Sequence, residues 1–562
     1  MSSGAWTRPA AGREPAAAAL LGWLADPGAP RLCVVSGDAG CGKSALLAWL
    51  VGHGIRPGTV PGRRVHGFVP LAGQSVRGTV WMLADQLGLA ARAPGELLAA
   101  LEADGRRTVV VLPDLHAAAE AEALAELILA LVELEHMHVI VEVRSGHEAV
   151  RLLDASSPAV MNLSEAQWTD PERYEAWRTA QSAPSRPSDG AGPEELSSEP
   201  KALDDPAVIC AADPVRVTTA FEASADEHGG LRSAWLRAGQ ALVRDQPPAE
   251  RALVLLTALG DGADPRLRPA LTELAAAAPW ELLWSRIRGD VIPPWPGPVL
   301  AITTGTGPLD GQLLVADHQG VLRTTALVDA TPTGRLPKPV PDAAAMCALP
   351  DGTLWVLDHA GQLHTCQLPA AGRPTGLAAL LDSAPTASER AAETLMAQLA
   401  RVPGSTLAAS SQVVAVGDLD GAVHALALGE ADTIPRTTPL HQGRVTAVCV
   451  VDIPVGQPEQ TTPIVYSGGV DGRVRAWAPG KEPLSAPVAE RPCAVTTVDC
   501  ALTTSGVALA VAWKDGLIEH HTLSTGETRS FHPGQPVNAV ALTPDEHLLI
   551  GTDEAVICLH PR

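Results

Sequence analysis

The second half of the chain repeats itself. Asp317-His318-Gln319-Gly320 returns as Asp358-His359-Ala360-Gly361, as Asp418-Leu419-Asp420-Gly421, as Gly469-Val470-Asp471-Gly472 and as Lys514-Asp515-Gly516. The glycines are about 41, 60, 51 and 44 residues apart. Each turn lies between a Val/Ala/Leu run and a second run such as Arg473-Val474-Arg475-Ala476-Trp477. Asp-Gly turns between short apolar runs read as hairpins. A period near ~40–45 residues, stretched by insertions, is that of a four-stranded propeller blade; sandwiches repeat their hairpins less regularly. A sixth unit spans Val537 to Cys558, with its turn reduced to Asp553-Glu554. Six to seven blades are expected over 292–562, the seventh in 371–403, where the pattern also predicts a helix from Ser388 to Leu399. The turn aspartates are expected to hydrogen-bond their own backbone. His318, His359, His364 and His424 follow the blade period and not ligand spacing, so no metal site is expected of them.

The first half is built differently. Gly37-Asp38-Ala39-Gly40-Cys41-Gly42-Lys43-Ser44 matches the phosphate-loop pattern G-x-x-x-x-G-K-[ST] without a gap. Arg31 to Ser36 before it reads as a short buried strand, and Ala45 to Leu50 after it as a helix. In such a loop successive backbone N–H groups face phosphates, and the helix N-terminus adds a favourable dipole. Gly37 and Gly42 let the backbone approach closely, Lys43 reaches the β- and γ-phosphates, and the Ser44 hydroxyl binds Mg²⁺. The expected cofactor is therefore ATP or ADP with Mg²⁺. Strands at 65–71, 108–112 and 139–143 alternate with helices at 74–89, 94–103 and 117–134, which implies a parallel sheet covered on both faces. Asp114, just past the 108–112 strand, stands at the sheet end where such sites lie and is the candidate Mg²⁺ ligand beside Ser44.

These readings divide the chain into five parts: a tail at 1–11, an α/β nucleotide domain at 12–150, an irregular region at 151–215, a small helical domain at 216–291, and the propeller at 292–562. Gln181 to Asp205 is rich in Ser, Pro, Gly, Glu and Asp, the composition of a linker. The helical domain is expected to end in a helix through Trp280 and Trp284. With Trp295 these form a packed seam against the propeller.

The fold class is thus multidomain: α/β, then helical, then all-β. Its 562 residues carry a formal charge of −22, which argues against broad nucleic-acid or anionic-membrane binding. The nine cysteines show no C-x-x-C pair and no metal spacing, and read as buried thiols of a reducing compartment, hence a cytoplasmic protein. No membrane span is expected, since no run of 18 apolar residues is free of charge.

Gly12-Arg13-Glu14, the phosphate loop, the 108–112 strand and Val141-Glu142-Val143-Arg144 come in an order that resembles bacterial signal-transduction ATPases with numerous domains, close to the NACHT and apoptotic-ATPase groups. The C-terminal half looks like the WD-repeat propeller often fused to them. The resemblance implies a switch. Nucleotide held between the α/β and helical domains sets a closed or open state, and the propeller senses or recruits a protein partner, in defence or stress signalling. It also implies nucleotide-dependent homo-oligomers. By position, Arg144 would be the sensor arginine near the γ-phosphate, and Gly12-Arg13-Glu14 would lie near the base.

The sequence departs from that family in one motif. Pro113 stands where the Mg²⁺-organising Asp belongs, and His116-Ala117 where a second acidic pair belongs; Asp114 is one step late. Slow or absent hydrolysis is the expectation, with a pseudo-ATPase scaffold as the alternative. Only about 30 residues precede the first strand, so any effector is expected to act in trans.

Overall fold

A computed structural model describes residues 8–56, 58–181, 203–291, 295, 297–336, 340, 342–367, 386–428, 434–456 and 460–562. The chain forms two compact units, one of residues 1–226 with 243–245, the other of 227–242 with 246–562.

The first unit is an α/β layer structure around a five-stranded parallel sheet. Its strands are β1 (Leu32–Ser36), β2 (Gly67–Phe68), β3 (Thr108–Leu112), β4 (Met137–Glu142) and β5 (Ala159–Asn162), in the order β2-β3-β4-β1-β5. Every residue of β1, β3 and β4 is buried, as expected of a sheet covered on both faces. Helices α1 (Glu14–Ala25), α2 (Lys43–Gly54), α3 (Val76–Leu87), α4 (Pro94–Asp104) and α5 (Ala121–Glu133) supply the cover. In α5 the buried residues Leu124, Leu127, Ile128 and Leu131 recur at three- and four-residue spacing. The expected strand over 65–71 is only two residues long.

Residues 151–181, expected to be irregular, hold β5 and a helix over Pro171–Gln181. β5 is an edge strand paired on one side only, to β1, and one of its four residues is buried, so it leaves no apolar run in the sequence. Most of the expected linker, 182–202, lies outside the described residues.

The second unit carries a six-bladed β-propeller. Its blades are β7–β10 (299–335), β11–β13 (343–367), β14–β17 (404–439), β18–β21 (445–490), β22–β25 (495–531) and β26–β28 (537–561). The sixth is completed by β6, Trp280–Ile287, which pairs antiparallel with β28, Ala555–Pro561. Where the sequence predicts a helix through Trp280 and Trp284, the chain is therefore a strand. Trp280, Leu283, Trp284 and Ile287 have helical spacing, but Leu283 is 43% exposed while Trp280 and Ile287 are each 1% exposed. Pairing to β28 overrides the local pattern.

The tryptophan seam accordingly lies inside the propeller. Trp284 and Trp295 pack with Val299, Leu313, Val556 and Cys558, between the last blade and the first. Within 371–403 the described part is a helix, Ala387–Leu399, started by a capping box of Thr386 and Glu389, and 371–385 fall outside the described residues. The turn aspartates do bond their own backbone: Asp317 Oδ1 accepts from the amides of Gln319 and Val321, and Asp418 Oδ1 from those of Asp420 and Ala422. Among the described residues no helix is long and apolar enough to cross a membrane.

Candidate functional site

The glycine-rich loop leaves the C-terminal end of β1 and enters α2. Gly40 and Gly42 have φ of 75° and 91°, a backbone that favours glycine, and Gly42 is the residue before the first helical turn. At Gly37 a Cβ would lie 2.6 Å from Cys41 Sγ, so no larger residue fits while the loop keeps this shape. Lys43 opens α2, is 5% exposed, and folds back over the loop: its ammonium donates to the carbonyls of Gly37 at 3.0 Å and Asp38 at 2.9 Å. The Asp38 amide donates to Ser164 Oγ at 3.1 Å. Arg13, 7% exposed, clamps the loop from outside through the Cys41 carbonyl, and also donates to the Leu163 carbonyl and Thr169 Oγ1.

Among the described residues the carboxylate that contacts both Lys43 and Ser44 is that of Glu142. Strand order places β4 beside β1, in a register that aligns Glu142 with Val35. Glu142 thus ends its strand next to where the loop begins. Ser44 Oγ donates to Glu142 Oε1 at 3.2 Å, and Lys43 Nζ lies 3.9 Å from the same oxygen. Glu142 is 2% exposed, and its Oε2 is buried with no hydrogen-bond partner. Burial pushes its carboxyl above the usual range and nearby Asp114 adds to this, while Ser44 and Lys43 oppose it.

Asp114 lies two residues past the end of β3, one strand further from β1. Its backbone is left-handed, with φ 62°, and its carboxylate makes no hydrogen bond among the described residues. It belongs to the outer part of the site, near Glu142 and His116. Arg144 is exposed, two residues past β4. It too bears on His116, whose ring is held below the usual histidine range by burial first, then by Arg144 and Lys43, with Asp114 opposing. His116 Nδ1 is buried without a partner, and its ring meets that of His147 edge-on at 6.4 Å. A neutral imidazole here can position a water but is a poor proton reservoir.

The structure therefore brings Lys43, Ser44 and Glu142 into contact, and sets Asp114, His116 and Arg144 around them. Glu142 stood in the sequence inside an apolar strand, where a charged residue flanked by Val141 and Val143 is itself a signal of a buried functional role. The oxygen donors Ser44 and Glu142 are the hard kind that magnesium takes. No protein-family model and no curated protein matches this sequence.

Proposed function

We propose that the protein is a slow nucleotide switch of the cytoplasm, which binds ATP or ADP with Mg²⁺ at the glycine-rich loop of its first unit and senses or recruits a protein partner through its propeller. The observation that carries this reading is the contact of buried Lys43 and Glu142 with the exposed Ser44 at the mouth of the loop, with one carboxylate oxygen left unpartnered. Lys43 donates to two loop carbonyls, bonds it would exchange for those of a ligand's phosphate oxygens. The loop amides and the α2 N-terminus favour an anion in the same place. Mg²⁺, when bound, would offset phosphate charge; Ser44 and Glu142 would hold it, with Asp114 outside them.

Nucleotide binding with and without Mg²⁺ tests this. Wild type should bind more tightly with the metal, and Ser44→Ala and Glu142→Gln should each lose about 10- to 100-fold of that metal-dependent gain. Asp114→Asn should lose less, because Asp114 does not contact Ser44. No binding in either buffer would remove the nucleotide reading altogether. Turnover should stay far below the ordinary enzymatic range of ~1–10³ s⁻¹, because the positions after Asp114 offer His116 and not an acid. A Lys43-dependent rate above about one per second would make this an active ATPase. Nucleotide retained through purification with no turnover would favour the scaffold.

A further inference from the structure

A second cluster of donors lies in the propeller, far along the chain from the glycine-rich loop. β18 (Val445–Pro454) and β22 (Val495–Thr503) are the first strands of neighbouring blades and help to wall a central cavity of about 120 Å³. Cys449 on β18 and Cys500 on β22 belong to the same apolar cluster between the blades, with Tyr466, Leu509 and Trp513. They are 1% and 9% exposed. Asp499 stands beside Cys500, and the donor atoms of Cys449, Asp499 and Cys500 all lie within 4.8 Å of one another.

From this juxtaposition we infer a binding site for a thiophilic divalent cation of the zinc type, held by Cys449, Cys500 and Asp499. Two sulfurs and one carboxylate oxygen are a donor set zinc uses, at about 2.3 Å for sulfur and 2.0–2.2 Å for oxygen, with water as a fourth ligand. Donors within 4.8 Å need only a small inward shift to reach those lengths. Asp499 also supplies the route: among the described residues it is the one charged side chain lining the cavity, whose other walls are Thr, Ala, Val and similar neutral residues. Inside it a cation meets a single negative charge in a shielded space. The carboxylate is held by two backbone amides: Oδ2 accepts from the Leu542 amide at 2.7 Å, and the Cys500 amide also donates to the carboxylate. Binding forms two metal–sulfur bonds and releases both thiol protons to solvent. The cation would then staple two blades at their innermost strands.

Cobalt(II) added to the full-length protein under reducing conditions tests the site. Thiolate-to-cobalt charge transfer and the strong visible bands of tetrahedral cobalt should appear, saturate near one equivalent, and be displaced by zinc. Cys449→Ser and Cys500→Ser should each remove the tetrahedral spectrum. Asp499→Asn should weaken the apparent affinity by ~10-fold or more, a loss seen even for groups that only support a ligand. Cys366→Ser, which alters a part-exposed thiol on a different blade, should leave it intact. Wild-type protein that gives no thiolate–cobalt band overturns the assignment without recourse to any variant. So does a band that survives in both folded cysteine variants, which would place the metal on other thiols.

Discussion

A chain cut after Glu554 loses the propeller. The eight residues removed include β28, which lies between β27 (Leu548–Thr552) and β6 and hydrogen-bonds the last blade to the strand that precedes the first. Ala555, Val556, Ile557, Cys558 and Leu559 are each 0–2% exposed. At about 1.5–3 kcal/mol for each large apolar side chain buried, Val556, Ile557 and Leu559 alone account for about 4.5–9 kcal/mol, comparable with the ~5–15 kcal/mol net stability of an ordinary domain. The cut also leaves β6 unpaired and uncovers an edge of β27, and exposed edges aggregate. A milder probe is Trp280→Ala. Trp280 is 1% exposed, donates to the Ser530 carbonyl at 2.9 Å and packs edge-on against His520, so its truncation should cost about 3–5 kcal/mol. Thermal unfolding followed by β-sheet circular dichroism checks both. Unchanged transitions in the truncated chain would mean that the ring does not rely on this latch. A propeller fragment begun at 292 lacks β6 and should behave like the truncated chain, whereas one begun at 278 should not.

That difference of a dozen residues marks where the sequence becomes silent. The blades were legible because each carries its own turn, and the turn chemistry of Asp317, Asp418 or Asp515 is local. β6 was not, because Trp280 to Ile287 fits two periods and its partner, β28, is more than 250 residues away. The same holds for the candidate site. The glycine-rich loop is a contiguous motif and could be read outright. The carboxylate facing it could not, because which strand lies beside β1 is a property of sheet order. Asp114 was the natural choice by proximity to the end of β3. In the folded sheet β4 intervenes, and Glu142 on β4 touches Ser44 while Asp114 does not. β5 went unread for a third reason: an edge strand with one buried residue leaves no hydrophobic pattern to detect.

Lys43→Ala should lose nucleotide binding and, separately, some stability, and Glu142 lets the two be told apart. Truncating one member of a buried, hydrogen-bonded charge contact typically costs ~2–5 kcal/mol of binding, or roughly 30- to 4,000-fold in affinity. Lys43 is the one lysine in the loop of a chain that carries five, within an overall charge of −22, so no neighbouring lysine replaces it. In the free protein the same substitution strips Glu142 of its nearest cation. With a 2% exposed carboxylate then held by Ser44 alone, about 1–3 kcal/mol of stability should go. Glu142→Gln on top of Lys43→Ala replaces that carboxylate by a neutral amide of the same size. The double variant should therefore recover most of the melting temperature while its nucleotide affinity stays lost. Calorimetric titration with Mg²⁺–ATP and a thermal melt on the wild type, both single variants and the double variant decide the matter. If affinity returned together with stability, Lys43 would be a structural counter-ion to Glu142, and the loop would owe its phosphate affinity to backbone amides alone. If neither returned, the contact between Lys43 and Glu142 would not be what holds the loop in this shape, and the clamp from Arg13 to the Cys41 carbonyl would be the next place to cut.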